Sequence, residues 1–179
     1  MKPYLLLVHN KIKLGIKKIK CKNISTEGIQ LFSQNSKFSF SKSSLIEFGD
    51  RIISDGRFVA VVGDNAILKI GKNVYFNEGA MISCKSEVVI GVGCQFGPNV
   101  KIFDNNHKFN ASEGVLSDHN SSPIYIGEHC WLGANAVILK GTTIGRNTVI
   151  GAGCIVSGTI PQSSIVTQGR ELQIEPMRK

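Results

Sequence analysis

The stretch Ile126-Gly127-Glu128-His129-Cys130-Trp131-Leu132-Gly133-Ala134-Asn135-Ala136-Val137-Ile138, continued by Gly141-Thr142-Thr143-Ile144-Gly145 and Val149-Ile150-Gly151-Ala152-Gly153-Cys154-Ile155-Val156, decides the fold. A large aliphatic residue returns at every sixth position: Ile126, Leu132, Ile138, Ile144, Ile150 and Val156. Glycine follows four of them, at 127, 133, 145 and 151, and small or modest residues stand four places after the aliphatic ones, at Cys130, Ala136, Thr142, Thr148 and Cys154. Neither the 3.6-residue period of a helix nor the two-residue period of a strand has this spacing. A period of six describes three short strands per solenoid turn of about 18 residues, each large aliphatic stacked on its counterpart one turn away. A β-sandwich would instead alternate with period two and carry turn signals every 8 to 12 residues. The expected class is therefore all-β, a parallel β-helix.

Working back from this stretch, a unit of the form apolar-x-apolar-Gly recurs as Ile46-Glu47-Phe48-Gly49, Leu68-Lys69-Ile70-Gly71, Val88-Val89-Ile90-Gly91 and Ile124-Tyr125-Ile126-Gly127. The residues before glycine lie 22, 20 and 36 apart. The first two spacings are single coils with extra residues at a corner. Two coils fit nominally in the third, yet the six-residue rhythm runs Ile90, Phe96, Ile102 and then stops until Ile124. Residues 103–123 are polar and irregular and read as a loop expelled from the solenoid, and long loops in compact repeat domains are usually functional. Residues 1–45 form a basic N-terminal segment and a capping coil, residues 46–160 the solenoid, and residues 161–179 a C-terminal loop and tail. Residues 1–23, a basic segment with interspersed Ile and Leu, are left open between a short helix and irregular strands.

A chain of 179 residues suits one domain with a substantial core, and 19 glycines with 7% aromatic residues suit thin coils and tight corners. Five cysteines lack CxxC spacing, and Cys94, Cys130 and Cys154 occupy the small-residue slot of a repeat, so they read as small hydrophobes in a reducing compartment. No apolar run approaches the roughly 18 residues of a membrane span, and the expected compartment is the cytoplasm. The net charge of +8 resides in the first 45 residues, where nine lysines face Glu27 alone. The neutral solenoid shows no nucleic-acid footprint, while the lysine-rich segment could give weak contact with an anionic membrane surface, attract a phosphorylated lipid-linked substrate, or be only a solvated face.

Within the expelled loop, His107 is a base of near-neutral pKa beside a regular scaffold, the alternative being a solvated loop histidine. Asp104, three residues earlier, could orient its ring and stabilise the imidazolium if the loop turns to bring them together.

From about Ile46 to Gly169 the sequence resembles the left-handed parallel β-helix acyltransferases, the hexapeptide-repeat family, and within it the sugar O-acetyltransferases. The stretch quoted first carries the resemblance, together with Asp104-Asn105-Asn106-His107, which is similar to the family's catalytic loop. The resemblance implies a homotrimer with active sites between subunits, acetyl-CoA as co-substrate, a saccharide acceptor, and His107 as general base. It implies that Trp131 opens the cofactor-binding coils, that Ala134 and Ala152 meet the pantetheine arm, and that Ser157 is a further cofactor contact. Arg170, in Gly169-Arg170-Glu171-Leu172-Gln173, would stand in for the cation of the family's usual Gly-x-Pro-Ala-Lys. Tyr75 and Asn77 match positions lining the sugar pocket of galactoside and maltose acetyltransferases. The carboxylate pair expected nearby is replaced by Cys84-Lys85, so Lys85 would face a different sugar, since Lys cannot accept hydroxyl hydrogen bonds. This points toward capsule, O-antigen or similar surface-polysaccharide precursors. An amino sugar acetylated on nitrogen and a non-catalytic assembly module remain as alternatives. The γ-class carbonic anhydrases share the solenoid but bind zinc through three histidines; the spacing of His107, His119 and His129 does not reproduce their arrangement, and no metal is expected.

Overall fold

The computed structural model describes residues 3–21 and 23–169. One helix, α1 (Pro3–Lys20), precedes a parallel β-solenoid of three sheets, here A, B and C. Sheet A stacks Ile24–Thr26, Leu45–Phe48, Ile67–Ile70, Glu87–Ile90, Ile124–Ile126, Thr143–Ile144 and Thr159–Ile160. Sheet B stacks Gln30–Phe32, Ile52–Ser54, Tyr75–Phe76, Gln95–Phe96, Trp131–Leu132, Val149–Ile150 and Ile165–Val166. Sheet C stacks Lys37–Phe40, Val59–Val62, Met81–Cys84, Lys101–Phe103, Val137–Leu139 and Ile155–Val156. The chain visits A, B and C in turn, giving six full coils and a seventh without its third strand. All-β architecture with a left-handed hexapeptide solenoid, as expected, is what the chain adopts.

The six-residue rhythm has a direct structural meaning. Ile126, Leu132 and Ile138 each supply one sheet, and Ile144, Ile150 and Val156 lie directly beneath them in the next coil. All six are at most 4% exposed. The glycines that follow Ile126 and Leu132 reflect close approach of neighbouring coils rather than unusual dihedrals. A Cβ at Gly133 would lie 2.6 Å from the backbone nitrogen of Ala152, and one at Gly127 would lie 2.5 Å from that of Arg146. At several corners a non-glycine residue takes left-handed dihedrals, as at Asn135 (φ 59°), Asn147 (φ 56°) and His129 (φ 55°), where asparagine's short polar side chain is tolerated best.

The wide coils at the N-terminal end are filled by aromatic rings. In sheet B the inward column reads Phe32, Ser54, Phe76, Phe96, Leu132. The gap left by Ser54 is taken by Phe58, whose ring stacks between Phe32 and Phe76 at centroid distances of 5.5 and 4.5 Å. The solenoid therefore begins at Ile24, with a first coil that pairs in all three sheets. At the other end it runs to Val166, so residues 161–166 continue the stack.

Residues 3–20, left open by the sequence, form the helix that caps the first coil. Asn10 and Leu14 are buried against it, and the Asn10 amide donates to the Phe32 carbonyl at 2.9 Å. Lys13 donates to the carbonyls of Gln34 (3.1 Å) and Ser36 (2.5 Å), satisfying backbone acceptors at the open end of the stack. Burial, with the charge of Lys17 second, pulls the Lys13 pKa below the usual lysine range.

Candidate active site

The 36-residue gap between Ile90 and Ile126 is one coil plus an excursion, because these two residues are direct neighbours in sheet A. The excursion leaves at the corner between sheets C and A, after Phe103. It is an ordered antiparallel hairpin, Asn105–Asn110 against Gly114–Ser121, rather than an irregular loop. Its turn is built locally: the Asn110 side-chain oxygen accepts from the backbone N–H of Ser112 (3.0 Å) and Glu113 (2.7 Å), and Gly114 has φ 73°.

The base of the hairpin is fastened by Asp104, which is completely buried. One carboxylate oxygen accepts from Lys85 N–H (2.7 Å) and the Asn105 amide (2.8 Å); the other accepts from Ser86 N–H (2.7 Å). The Asn105 amide also donates to Ser83. This corrects the expectation that Asp104 orients the His107 ring. Successive strand residues point to opposite faces, so positions 104 and 107, three apart, face opposite sides of the hairpin. Asp104 faces the solenoid and holds the corner of the preceding coil.

The group that orients His107 is the Leu116 carbonyl, 3.1 Å from Nδ1. A carbonyl only accepts, so Nδ1 carries the proton and Nε2 presents a lone pair. His119 sits directly across the hairpin from His107, with ring centroids 4.3 Å apart. Loss of hydration, then the charges of His107 and Lys85, hold His119 below the ordinary histidine range, with Asp118 opposing. Lys85, exposed in the coil that precedes the hairpin, thus belongs to the same neighbourhood. An open cleft of about 500 Å³ is lined by Asn106, His107 and Leu116 of the hairpin and by Lys140.

The other candidates lie elsewhere. Tyr75, Gln95, Trp131 and Val149 form one column of sheet B. Trp131 is 54% exposed on it, and Tyr75, two coils away, donates from its hydroxyl to Asp55 at 2.6 Å. Asn77 follows Tyr75 toward the B–C corner, and its side-chain oxygen accepts from Glu78 N–H at 2.8 Å. Ala134 and Ala152 occupy that corner in successive coils, linked by Gly153 N–H to the Ala134 carbonyl at 2.8 Å. Their own N–H groups have no hydrogen-bond partner among the described residues. Ser157 parts from this group: it follows Val156 at the C–A corner, on the hairpin's side. Arg170 lies outside the described residues.

Within one chain, then, the candidates gather at two opposite edges of sheet C. His107, Lys85 and Ser157 share the C–A edge; Trp131, Ala134, Ala152, Tyr75 and Asn77 share sheet B and the B–C edge. His129 belongs to neither, since it turns the A–B corner, and no cluster of three His, Cys, Asp or Glu side chains among the described residues is arranged to hold a metal. Sequence reasoning missed His119 as a neighbour of His107 and the Leu116 carbonyl as its orienting group. Counting outward from the Asn110–Gly114 turn would place Ser117 opposite His107; a bulge between His107 and Phe109 shifts the register and brings His119 there instead.

The description "Bacterial transferase hexapeptide (six repeats)" matches residues 123–158, the regular coils. The galactoside O-acetyltransferase of Escherichia coli K12 is 33% identical over 141 residues, covering 72% of this chain and 68% of that protein. WbbJ of Escherichia coli K12, provisionally named a lipopolysaccharide biosynthesis O-acetyl transferase, is 30% identical over 130 residues, covering 68% of this chain and 66% of its own length. The chain thus spans about two thirds of the length of each of these curated relatives. Among solved structures, the N-acyltransferase AntD from Bacillus cereus, crystallised with a dTDP-amino sugar and coenzyme A, superposes with a TM-score of 0.67 at 11% identity, covering 92% of this chain and 89% of that one.

Proposed function

From the premise that the chain belongs to the hexapeptide-repeat acetyltransferases, we propose that it moves an acetyl group from acetyl-CoA to a saccharide hydroxyl, with His107 as general base. The acceptor class we infer is a capsule, O-antigen or similar surface-polysaccharide precursor. The observation that carries the proposal is the His107 ring itself: its Nδ1 is engaged by the Leu116 carbonyl, which leaves Nε2 as the nitrogen available to act as base, and the residue lines an open cleft.

Acetyl-CoA supplies an acyl carbon activated as a thioester. A sugar hydroxyl is a poor nucleophile until a positioned base removes its proton. Nε2 takes that proton as the hydroxyl oxygen bonds to the acyl carbon, and the Leu116 carbonyl, still accepting from Nδ1–H, favours the imidazolium that results; the carbon–sulfur bond then breaks and the imidazolium returns the proton to the leaving coenzyme A thiolate. The exposed Trp131 ring and the unpaired N–H groups of Ala134 and Ala152 fit the indole wall and amide donors that an extended pantetheine arm would use. Holding donor and acceptor in one crevice supplies further rate through proximity.

Because the base and the cofactor wall lie at opposite edges of sheet C, the reading requires a second copy of the chain. We propose a homotrimer in which the C–A edge of one protomer faces the sheet B side of its neighbour. A head-to-tail contact that closes into a ring makes three equivalent sites.

The experiment is His107→Ala, assayed by free-thiol release from acetyl-CoA in the presence of a panel of saccharides. Loss of a general base costs about 10²- to 10⁴-fold in turnover. His107 is exposed, so thermal stability should not change. Near-wild-type transfer by this variant would remove His107 from the mechanism. A product acetyl group released by mild alkali is an ester; a resistant one is an amide and would assign the acceptor atom to nitrogen.

A further inference from the structure

Helix α1 carries two apolar faces, and the solenoid covers only one of them. Leu14 and Asn10 are buried against the first coil. On the opposite side Tyr4, Leu5, Val8, Ile12, Ile16 and Ile19 are exposed, from 38% at Val8 to 80% at Ile19. At 3.6 residues per turn these six positions and Gly15 fall within an arc of about 120° that holds no charged residue. Scattered exposed aliphatics need no explanation, but a continuous stripe along a whole helix does.

The borders of the stripe are basic. Lys11 and Lys18 lie along one edge and His9 and Lys13 along the other, and no acidic residue occurs before Glu27. Lys13 and Lys18 reach back to the solenoid, to Ser36 and Thr26, while Lys11 stays exposed, as do Lys37 and Lys42 in and after the first coil. Two copies meeting face to face through this stripe would set lysine against lysine with no carboxylate on the helix to answer them. An anionic lipid surface satisfies both features, taking the apolar stripe at the acyl boundary and the cations at the headgroups. The helix is not long and apolar enough to cross a membrane; at 18 residues it extends about 27 Å, lying in the plane.

We propose that α1 is an interfacial anchor that seats the N-terminal end of the solenoid on an anionic membrane surface. The inference is independent of the acetyl-transfer reading, because α1 packs on the first coil whereas the hairpin bearing His107 leaves from the fourth.

The test is co-sedimentation of the full chain with vesicles of phosphatidylcholine alone and of phosphatidylcholine mixed with phosphatidylglycerol, at low and high salt. The expected result is binding to the mixed vesicles only, weakened by high salt as exposed charges are screened. Ile12→Gln with Ile16→Gln should reduce that binding at least about tenfold by removing two aliphatic anchors, and Lys11→Glu should also reduce it. Melting temperature and mass in solution should not change in either variant. Equal binding to both vesicle types, or to neither, overturns the proposal. So does a fall in mass by light scattering in the Ile12→Gln, Ile16→Gln variant, which would make the stripe a contact between copies.

Discussion

Replacing Asp104 with Ala tests whether this carboxylate is a fastener of the hairpin or a partner of the proposed base, His107. Its oxygens accept the N–H groups of Lys85 and Ser86 at 2.7 Å each, in a setting where the Asp104 side chain is completely buried. Removing the acceptor leaves two backbone donors unpaired at about 1–3 kcal/mol each, or about 2–6 kcal/mol together. The Asn105 amide is not added, because it keeps Ser83 as an acceptor. A loss of that size is comparable with much of a domain's net stability of roughly 5–15 kcal/mol, so the base of the hairpin should open before the solenoid does. Urea denaturation measures the loss, and hydrogen exchange at the Lys85 and Ser86 amides localises it. Turnover should fall although His107 is intact, because the ring is no longer held over the cleft. Asp104→Asn keeps one acceptor oxygen but turns an NH₂ toward the second donor, and should lie between wild type and Ala. Wild-type stability and wild-type amide protection in Asp104→Ala, with a changed pH–rate profile, would refute the fastening role and restore the role as an orienting carboxylate.

Co-expressing His107→Ala with Ala152→Trp, each inactive alone, should restore about a quarter of wild-type activity, since a random ring joins one intact hairpin edge to one intact corner at that frequency; no recovery would place base and cofactor wall in one chain. The like-charge neighbourhood of His119 predicts that Lys85→Gln raises the His119 pKa, measurable by NMR titration of the ring protons. Because the folded chain holds His119 below its ordinary value, hairpin order should be complete above the usual histidine range and decline as pH falls through it. Hairpin amide exchange that is indifferent to pH after correction for intrinsic rates would contradict this. Gly133→Ala puts a methyl 2.6 Å from the Ala152 nitrogen, a backbone atom that cannot swing away. It should cost about 1–3 kcal/mol as overpacking, visible as a lower melting temperature.

The coils were legible because each inward position meets a chemically similar position one turn later, so the packing demand repeats in sequence. The glycines at 127, 133 and 145 were legible for the same reason, since at the A–B and B–C corners each coil closely approaches the next. The helix was not legible. Leu6 and Leu14 face the solenoid while Leu5, Ile12 and Ile16 face away, so apolar residues surround the axis and no single amphipathic period stands out. The hairpin hid for a different reason. Its strands lie outside the core, so alternation has little apolar burial to report, and an excursion of one coil's length leaves the 36-residue spacing compatible with two coils. The lone aspartate before His107 looked like an orienting acid because sequence proximity suggests contact, whereas extended geometry sends the two side chains to opposite faces.

By itself the sequence determined the solenoid, its three-sheet period, the place where the rhythm breaks and the histidine in that break. These follow from local repetition, which needs no knowledge of what lies across the fold. Only the tertiary structure decided that Asp104 closes a corner, that a backbone carbonyl fixes the His107 tautomer, and that His107 and Trp131 stand at opposite edges of sheet C. Those facts depend on which coil lies above which and on which way a strand turns its side chains. Residues 20 to 40 positions apart acquire neighbours only when the chain is wound.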